Sequence, residues 1–90
     1  RENSLMNSQM IIYQTEDGKT KLDVRLENEG IGKIEIIDLL GKTVCSFENY
    51  INSGNNSIKY SELSTLPTAT YTIKVTIDNE IVSIGKFIKQ

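Results

Sequence analysis

Few residues in this 90-residue chain are of types that do chemistry, and none is spaced as a catalytic site requires. There is no histidine, so the commonest general base and the commonest neutral metal ligand are missing. A zinc site built on Cys and His is excluded within one chain. Cys45 is the single cysteine, which rules out an intrachain disulfide. A catalytic thiol needs a neighbouring base; without one, Cys45 reads as a small buried hydrophobe. Glu16, Asp17, Glu27 and Glu29 could be gathered around calcium, but their spacing is not that of an EF-hand loop. Carboxylate pairs for glycoside hydrolysis need a cleft and a fixed separation, which a small sandwich rarely offers. Asn55-Asn56-Ser57 matches the N-glycosylation pattern, a short match that arises readily in an Asn-rich turn. Tyr13, Tyr50, Tyr60 and Tyr71 could supply a sugar-stacking face, although Tyr60 and Tyr71 fit a core better. No catalytic, cofactor-binding or metal-binding residue is expected, and no enzyme activity.

The composition agrees with a small binding or structural module. Ninety residues make one domain, which buries about two-thirds of its unfolded surface. Net charge is −2, with 12 acidic and 10 basic side chains interspersed. Nucleic-acid binding calls for a basic stripe, and the chain has none. Its apolar runs fall short of the ~20 residues of a membrane helix. No signal peptide is visible at the polar start Arg1-Glu2-Asn3-Ser4. An exported form would have lost its leader.

The elements read as strands throughout. Residues 1–9 form a polar tail with only Leu5 and Met6 to bury, and residues 10–90 form a single β-sandwich domain. Met10 to Gln14 is short and β-prone. Asp17-Gly18 signals a hairpin. Lys21 to Leu26 alternates, which turns Leu22, Val24 and Leu26 inward. Glu27 to Gly32 reads as a loop. The strand Lys33 to Asp38 places Ile34 and Ile36 on the core face, and Gly41 closes the turn after it. In Thr43 to Asn49, both Val44 and the Cys45/Phe47 pair want burial, so a bulge is expected. Asn52 to Asn56 reads as a turn, followed by a short strand from Ser57 to Tyr60. Leu63 and Leu66 tuck under the core, and Pro67 must precede the next strand.

The cleanest alternation is Tyr71, Ile73, Val75 and Ile77 against Thr72, Lys74 and Thr76. Asp78-Asn79 suits a two-residue type I′ turn. That turn would pair Val75 with Val82 and Ile73 with Ile84, placing both partners in the core. It would also set Lys86 opposite Tyr71, unless Gly85 marks a bulge that brings Phe87 inward. About seven strands at roughly ten-residue spacing make an all-β, immunoglobulin-like antiparallel sandwich.

Three stretches carry a family resemblance. Ile34-Glu35-Ile36-Ile37-Asp38-Leu39-Leu40-Gly41-Lys42-Thr43-Val44 resembles a "V-x-I-Y-D-x-x-G-K-x-V" block. Ser64-Thr65-Leu66-Pro67-Thr68-Ala69-Thr70-Tyr71-Thr72-Ile73-Lys74-Val75 resembles "S-x-L-x-x-G-x-Y-x-I-K-V". Lys86-Phe87-Ile88-Lys89-Gln90 resembles "K-x-I-K-Q". In order and spacing they resemble the C-terminal sorting domain of the type IX secretion system of Bacteroidetes, over about residues 20–90. The resemblance implies an immunoglobulin-like sandwich without enzyme activity, exported to the cell surface or beyond and read by the secretion machinery at the outer membrane. There such a domain is typically cleaved from its cargo.

The chain departs from that pattern at Ala69, where the family usually has Gly. A positive φ there would cost Ala about 1 kcal/mol or more. The family's usual N-terminal "P-N-P" is also missing. Residues 11–29 further resemble the opening of RhuM-like proteins, but the DNA-binding region of those proteins does not follow.

The expected function is a secreted, non-catalytic module acting by protein–protein recognition. The alternative is a stand-alone binding or adhesion module for glycan or host protein. Recognition or weak self-association is expected at an edge strand, either Ile81 to Lys89 or Met10 to Gln14.

Overall fold

Alternation at a period of two dictates strands, and strands of one-sided hydrophobicity must bury that side against another sheet. The computed structural model describes residues 9–15, 17, 19–59 and 64–89. They form seven strands: β1 (Gln9–Gln14), β2 (Thr20–Leu26), β3 (Gly30–Ile37), β4 (Thr43–Ile51), β5 (Gly54–Lys59), β6 (Ala69–Ile77) and β7 (Glu80–Lys89). The expected tail, but for Gln9, lies outside the described residues, as do Glu16, Gly18, Tyr60 and Leu63. No helix among the described residues is long and apolar enough to cross a membrane.

The strands make two antiparallel sheets, β1-β2-β5 and β4-β3-β6-β7. β4 lies beside β3 rather than beside β5. This differs from the constant-type immunoglobulin arrangement, in which the fourth strand joins the sheet of the first, second and fifth. The core lies between the sheets. Leu22, Val24, Leu26 and Ile58 come from one side; Ile34, Ile36, Ile51, Tyr71, Ile73, Val75, Ile77 and Val82 come from the other. Leu66 packs against this layer, as expected.

Several turns match their sequence signals. Asp78 and Asn79 have φ of 52° and 65°, the left-handed pair that a type I′ hairpin needs. Gly41 has φ 87°. It closes a turn in which Asp38 Oδ1 accepts from Leu40 N and Lys42 N, each at 2.9 Å. Pro67 precedes β6, and its carbonyl accepts the Tyr71 hydroxyl at 2.6 Å. This is a tyrosine corner, a device by which a strand-initial Tyr ties the inter-sheet crossover to the sheet below it.

Other expectations are corrected. Gly30-Ile31-Gly32 is the start of β3, not part of a loop. The glycines make room there: a Cβ on Gly32 would lie 2.6 Å from Ile51 Cγ1. Asn55 and Asn56 belong to β5 rather than to a turn. Asn56 is buried, and its side chain replaces lost backbone partners. Its Oδ1 accepts from Asn52 N at 2.8 Å, and its Nδ2 donates to Asn52 O at 2.9 Å and Gly54 O at 3.2 Å. The bulge expected in β4 is present: Ile36 pairs with Cys45 and Ile37 with Thr43, so Val44 is the extra residue. That shift lets Cys45 and Phe47 pack on the core while Val44 faces solvent.

The β6–β7 register also differs from expectation. Thr76 pairs with Ile81, but Val75 pairs with Ser83 and Ile73 with Gly85. The bulge is at Val82, not at Gly85. Val82 joins the core, whereas Ile84 falls opposite Lys74 on the outer face. Lys86 is consequently opposite Thr72, and Phe87 takes the place opposite Tyr71. The Phe87 side chain lies outside the described atoms.

The Gly32–Ile51 contact gives a test. A Gly→Ala change inside a strand normally favours the folded state slightly. Gly32→Ala should instead destabilise by about 1–3 kcal/mol, the usual range for overpacking, read as a lower urea midpoint. Combined with Ile51→Ala, the alanine at position 32 should add little further loss, a non-additivity typical of touching residues.

Candidate functional site

Among the described residues, those that could do chemistry do not converge. Asp17 sits in the β1–β2 loop, where it accepts from the Thr15 hydroxyl and, at 3.3 Å, from Lys19 N. These bonds, the Thr15 one foremost, hold its carboxyl below the usual range. Glu27 and Glu29 lie beyond the other end of β2. Seven strand residues separate the two sites, a rise of roughly 23 Å. Among the described residues no three His, Cys, Asp or Glu side chains are grouped as a metal would need. Cys45 is half-buried against the core. Asn55 of the glycosylation pattern is exposed on β5, while Asn56 is spent on the clamp around Asn52.

The described tyrosines do not share a platform. Tyr71 is in the core. Tyr13 stands on the outer face of the three-stranded sheet, and its hydroxyl donates to Asp23 Oδ2 at 3.2 Å. Asp23 Oδ1 also accepts from Ser57 Oγ at 2.9 Å. Asp23 and Ser57, with Ile11, Arg25 and Asn55, line a shallow hollow of about 390 Å³. Tyr50 stands on β4 in the opposite sheet, donating to Glu29 Oε2 at 2.9 Å.

The more prominent surface is the outer face of the four-stranded sheet and its β7 edge. Its centre is charged: Glu35 contacts Lys74 at 3.5 Å and Lys33 at 4.0 Å. Its β7 margin carries three isoleucines and one charge, Lys86. The bulge at Val82 sets Ile81 opposite Thr76 and Ile84 opposite Lys74, and Ile88 follows opposite Thr70. Ile81 is 41% exposed and Ile88 65%. Thr72, Ile84, Gly85 and Lys86 line a hollow of about 290 Å³ here. At one end, the Asp38-bonded turn holds up Leu39 and Leu40, 75% and 93% exposed. Sequence reasoning named Ile81 to Lys89 as one of two candidate edges but put Ile84 inside, so it missed the middle member of this margin.

The Tyr50–Glu29 bond has a measurable consequence. A phenol donating to a carboxylate loses that bond on ionising, so Glu29 raises the Tyr50 pKa above the ordinary tyrosine value. The bond is intact while Tyr50 is neutral and is lost as pH rises through its raised pKa. Spectrophotometric titration of the chain against Tyr50→Phe should show the Tyr50 contribution above the ordinary tyrosine range, and Glu29→Gln should return it toward that range.

The strand order, the Asp38–Gly41 turn and the Tyr71 corner give structural content to the three sequence blocks. The model of a family described as "Secretion system C-terminal sorting domain" matches residues 17–90. No curated protein matches the chain. The likeness of residues 11–29 to RhuM-like proteins finds no support, since the sorting-domain match runs into that stretch from residue 17. The departure at Ala69 is accommodated. Ala69 is the exposed first residue of β6, and among the described residues the non-glycine ones with positive φ are Asp78 and Asn79, so alanine incurs no left-handed strain there. The chain belongs to the type IX secretion C-terminal sorting domain family, whose tails mark proteins for export to the cell surface or extracellular space.

Proposed function

We propose that this chain is a non-catalytic sorting module, recognised by the secretion machinery through protein–protein contact along the β7 edge. The observation that carries the reading is the isoleucine margin of that edge. β7 is the longest strand, and its outer side presents Ile81, Ile84 and Ile88 beside backbone groups with no neighbouring strand in their sheet. Main-chain bonds along such an edge supply affinity, and alternate side chains supply specificity. The other open edges are less suited to it. β4 bears Ser46, Glu48 and Tyr50 outward. β1 and β5 are each six residues long, and β5 bears Asn55, Ser57 and Lys59 outward. Shortness discourages pairing, and neither β4 nor β5 presents a row of isoleucines.

The same reading makes residues 10–90 one cooperative domain, because both sheets share a single core layer. Thermal unfolding followed by far- and near-ultraviolet circular dichroism should then give coincident transitions.

The functional test fuses the full chain to a reporter in a type IX-competent Bacteroidetes host. The reporter should reach the surface or the medium. Ile81→Lys with Ile88→Lys changes two exposed positions and should leave stability within about 0.5 kcal/mol, yet reduce export severalfold. Retention of the unmodified fusion in the periplasm would refute the sorting role. Undiminished export of the double variant would refute the edge.

A further inference from the structure

β1 stands apart from the rest of the sandwich. The family match begins at residue 17 and so leaves β1, Gln9–Gln14, outside it. β2 does not depend on β1 for its place. Its other side pairs with β5 over six residue pairs, and it contributes Leu22, Val24 and Leu26 to the core. β1 contributes less among its described side chains: Ile11 is 62% exposed, Tyr13 is 37% exposed, and Met10 is half-buried. β1 is held by its six-pair ladder with β2 and by the seat of Met10 over β7. Gly85 forms that seat. A Cβ there would lie 2.9 Å from Met10 Sδ, so the glycine leaves a slot that an unbranched apolar side chain fills.

We propose that the edge of β2 is a strand-acceptor site, occupied here by the chain's own β1, where an extended segment of a partner protein replaces β1. The incoming segment runs antiparallel to β2 and carries a slender apolar side chain at the place of Met10, above Gly85. Exchange of one strand for another conserves the backbone ladder, so side-chain fit decides the outcome. The occupant is a foreign strand rather than the β1 of a second copy. Reciprocal exchange would straighten the β1–β2 loop and forfeit the bonds Asp17 makes to Thr15 and Lys19. A displaced β1 leaves that loop free to keep them. The site shares Gly85 with β7 but does not rest on recognition along that edge, and its test uses purified protein without any export step.

The probe is a fluorescently labelled peptide with the sequence of residues 9–15, titrated into the full chain by anisotropy, with light scattering in parallel. Three proteins are compared: wild type, Met10→Ala, and Ile11→Cys with Asp23→Cys in a Cys45→Ser background. Ile11 and Asp23 are direct partners, and opposed antiparallel residues lie about 4.5–5.5 Å apart at Cα, within disulfide reach. The peptide should bind wild type saturably, bind Met10→Ala at least fivefold more tightly, and bind the oxidised cysteine pair at least tenfold more weakly than its reduced form. No binding to wild type or Met10→Ala would overturn the proposal, as would equal binding to the oxidised and reduced pair. A β1-exchanged dimer of the chain alone, abolished by oxidation, would overturn it in favour of a second copy as occupant.

Discussion

The molecule depends on one thin layer of alternating side chains. Leu22, Val24 and Leu26 face Ile34, Ile36, Ile73, Val75 and Ile77 across the two sheets. A side-chain period of two makes this layer unforgiving, because a slip of one residue would carry a whole strand's apolar set into water. The structure therefore fixes register at nearly every turn. Asp78-Asn79 sets β6 against β7, Asp38 with Gly41 sets β3 against β4, and the Tyr71 hydroxyl ties β6 to the crossover at Pro67. The bulges at Val44 and Val82 then re-aim single residues without disturbing the central pair of β3 and β6.

With the interior given over to packing, the proposed recognition falls to faces and edges. The two sheets differ in what they offer. The three-stranded sheet presents a polar outer face, where Asp23 is already engaged by Tyr13 and Ser57. The four-stranded sheet keeps its charges central, around Glu35 and Lys74, and leaves isoleucines along β7. The Val82 bulge links the core to that surface. Without the extra residue, Ile84 would point inward and the outer margin would lose its middle member.

The core strands were legible in the sequence because alternation reports burial directly. The faces of Leu22, Val24 and Leu26, of Ile34 and Ile36, and of Tyr71 through Ile77 follow from it. What alternation cannot report is a one-residue insertion. The placement of Ile84 failed for that reason, since nothing in Ile81-Val82-Ser83-Ile84 shows that Val82 and Ser83 both turn inward. Residue type misled in two other places. Gly30-Gly32 and the Asn55-Asn56 pair look like turn residues, but here glycine yields space to Ile51 and asparagine substitutes for backbone partners. The candidate surface was barely legible, because an edge is defined by the absence of a neighbouring strand, which is a property of topology.

That absence explains how a family pattern can be clear while no side-chain site is. The residues through which the chain resembles the family are Asp38 and Gly41 in a turn, Tyr71 at a corner, and Ile34, Ile36, Ile73 and Val75 in the core. Each determines shape, and none of the core residues or Tyr71 is available at the surface. On the proposed reading, a partner of the folded domain meets backbone edges and the turns that hold them, since the described residues gather no constellation of reactive groups. Backbone recognition tolerates many side chains, provided the strand stays in register and its edge stays open. Ala69 illustrates the tolerance: it replaces a usual glycine at the start of β6 without requiring a positive φ. On the proposed reading, the residues of the pattern hold the register that exposes β7, and the fold is in that sense the signal.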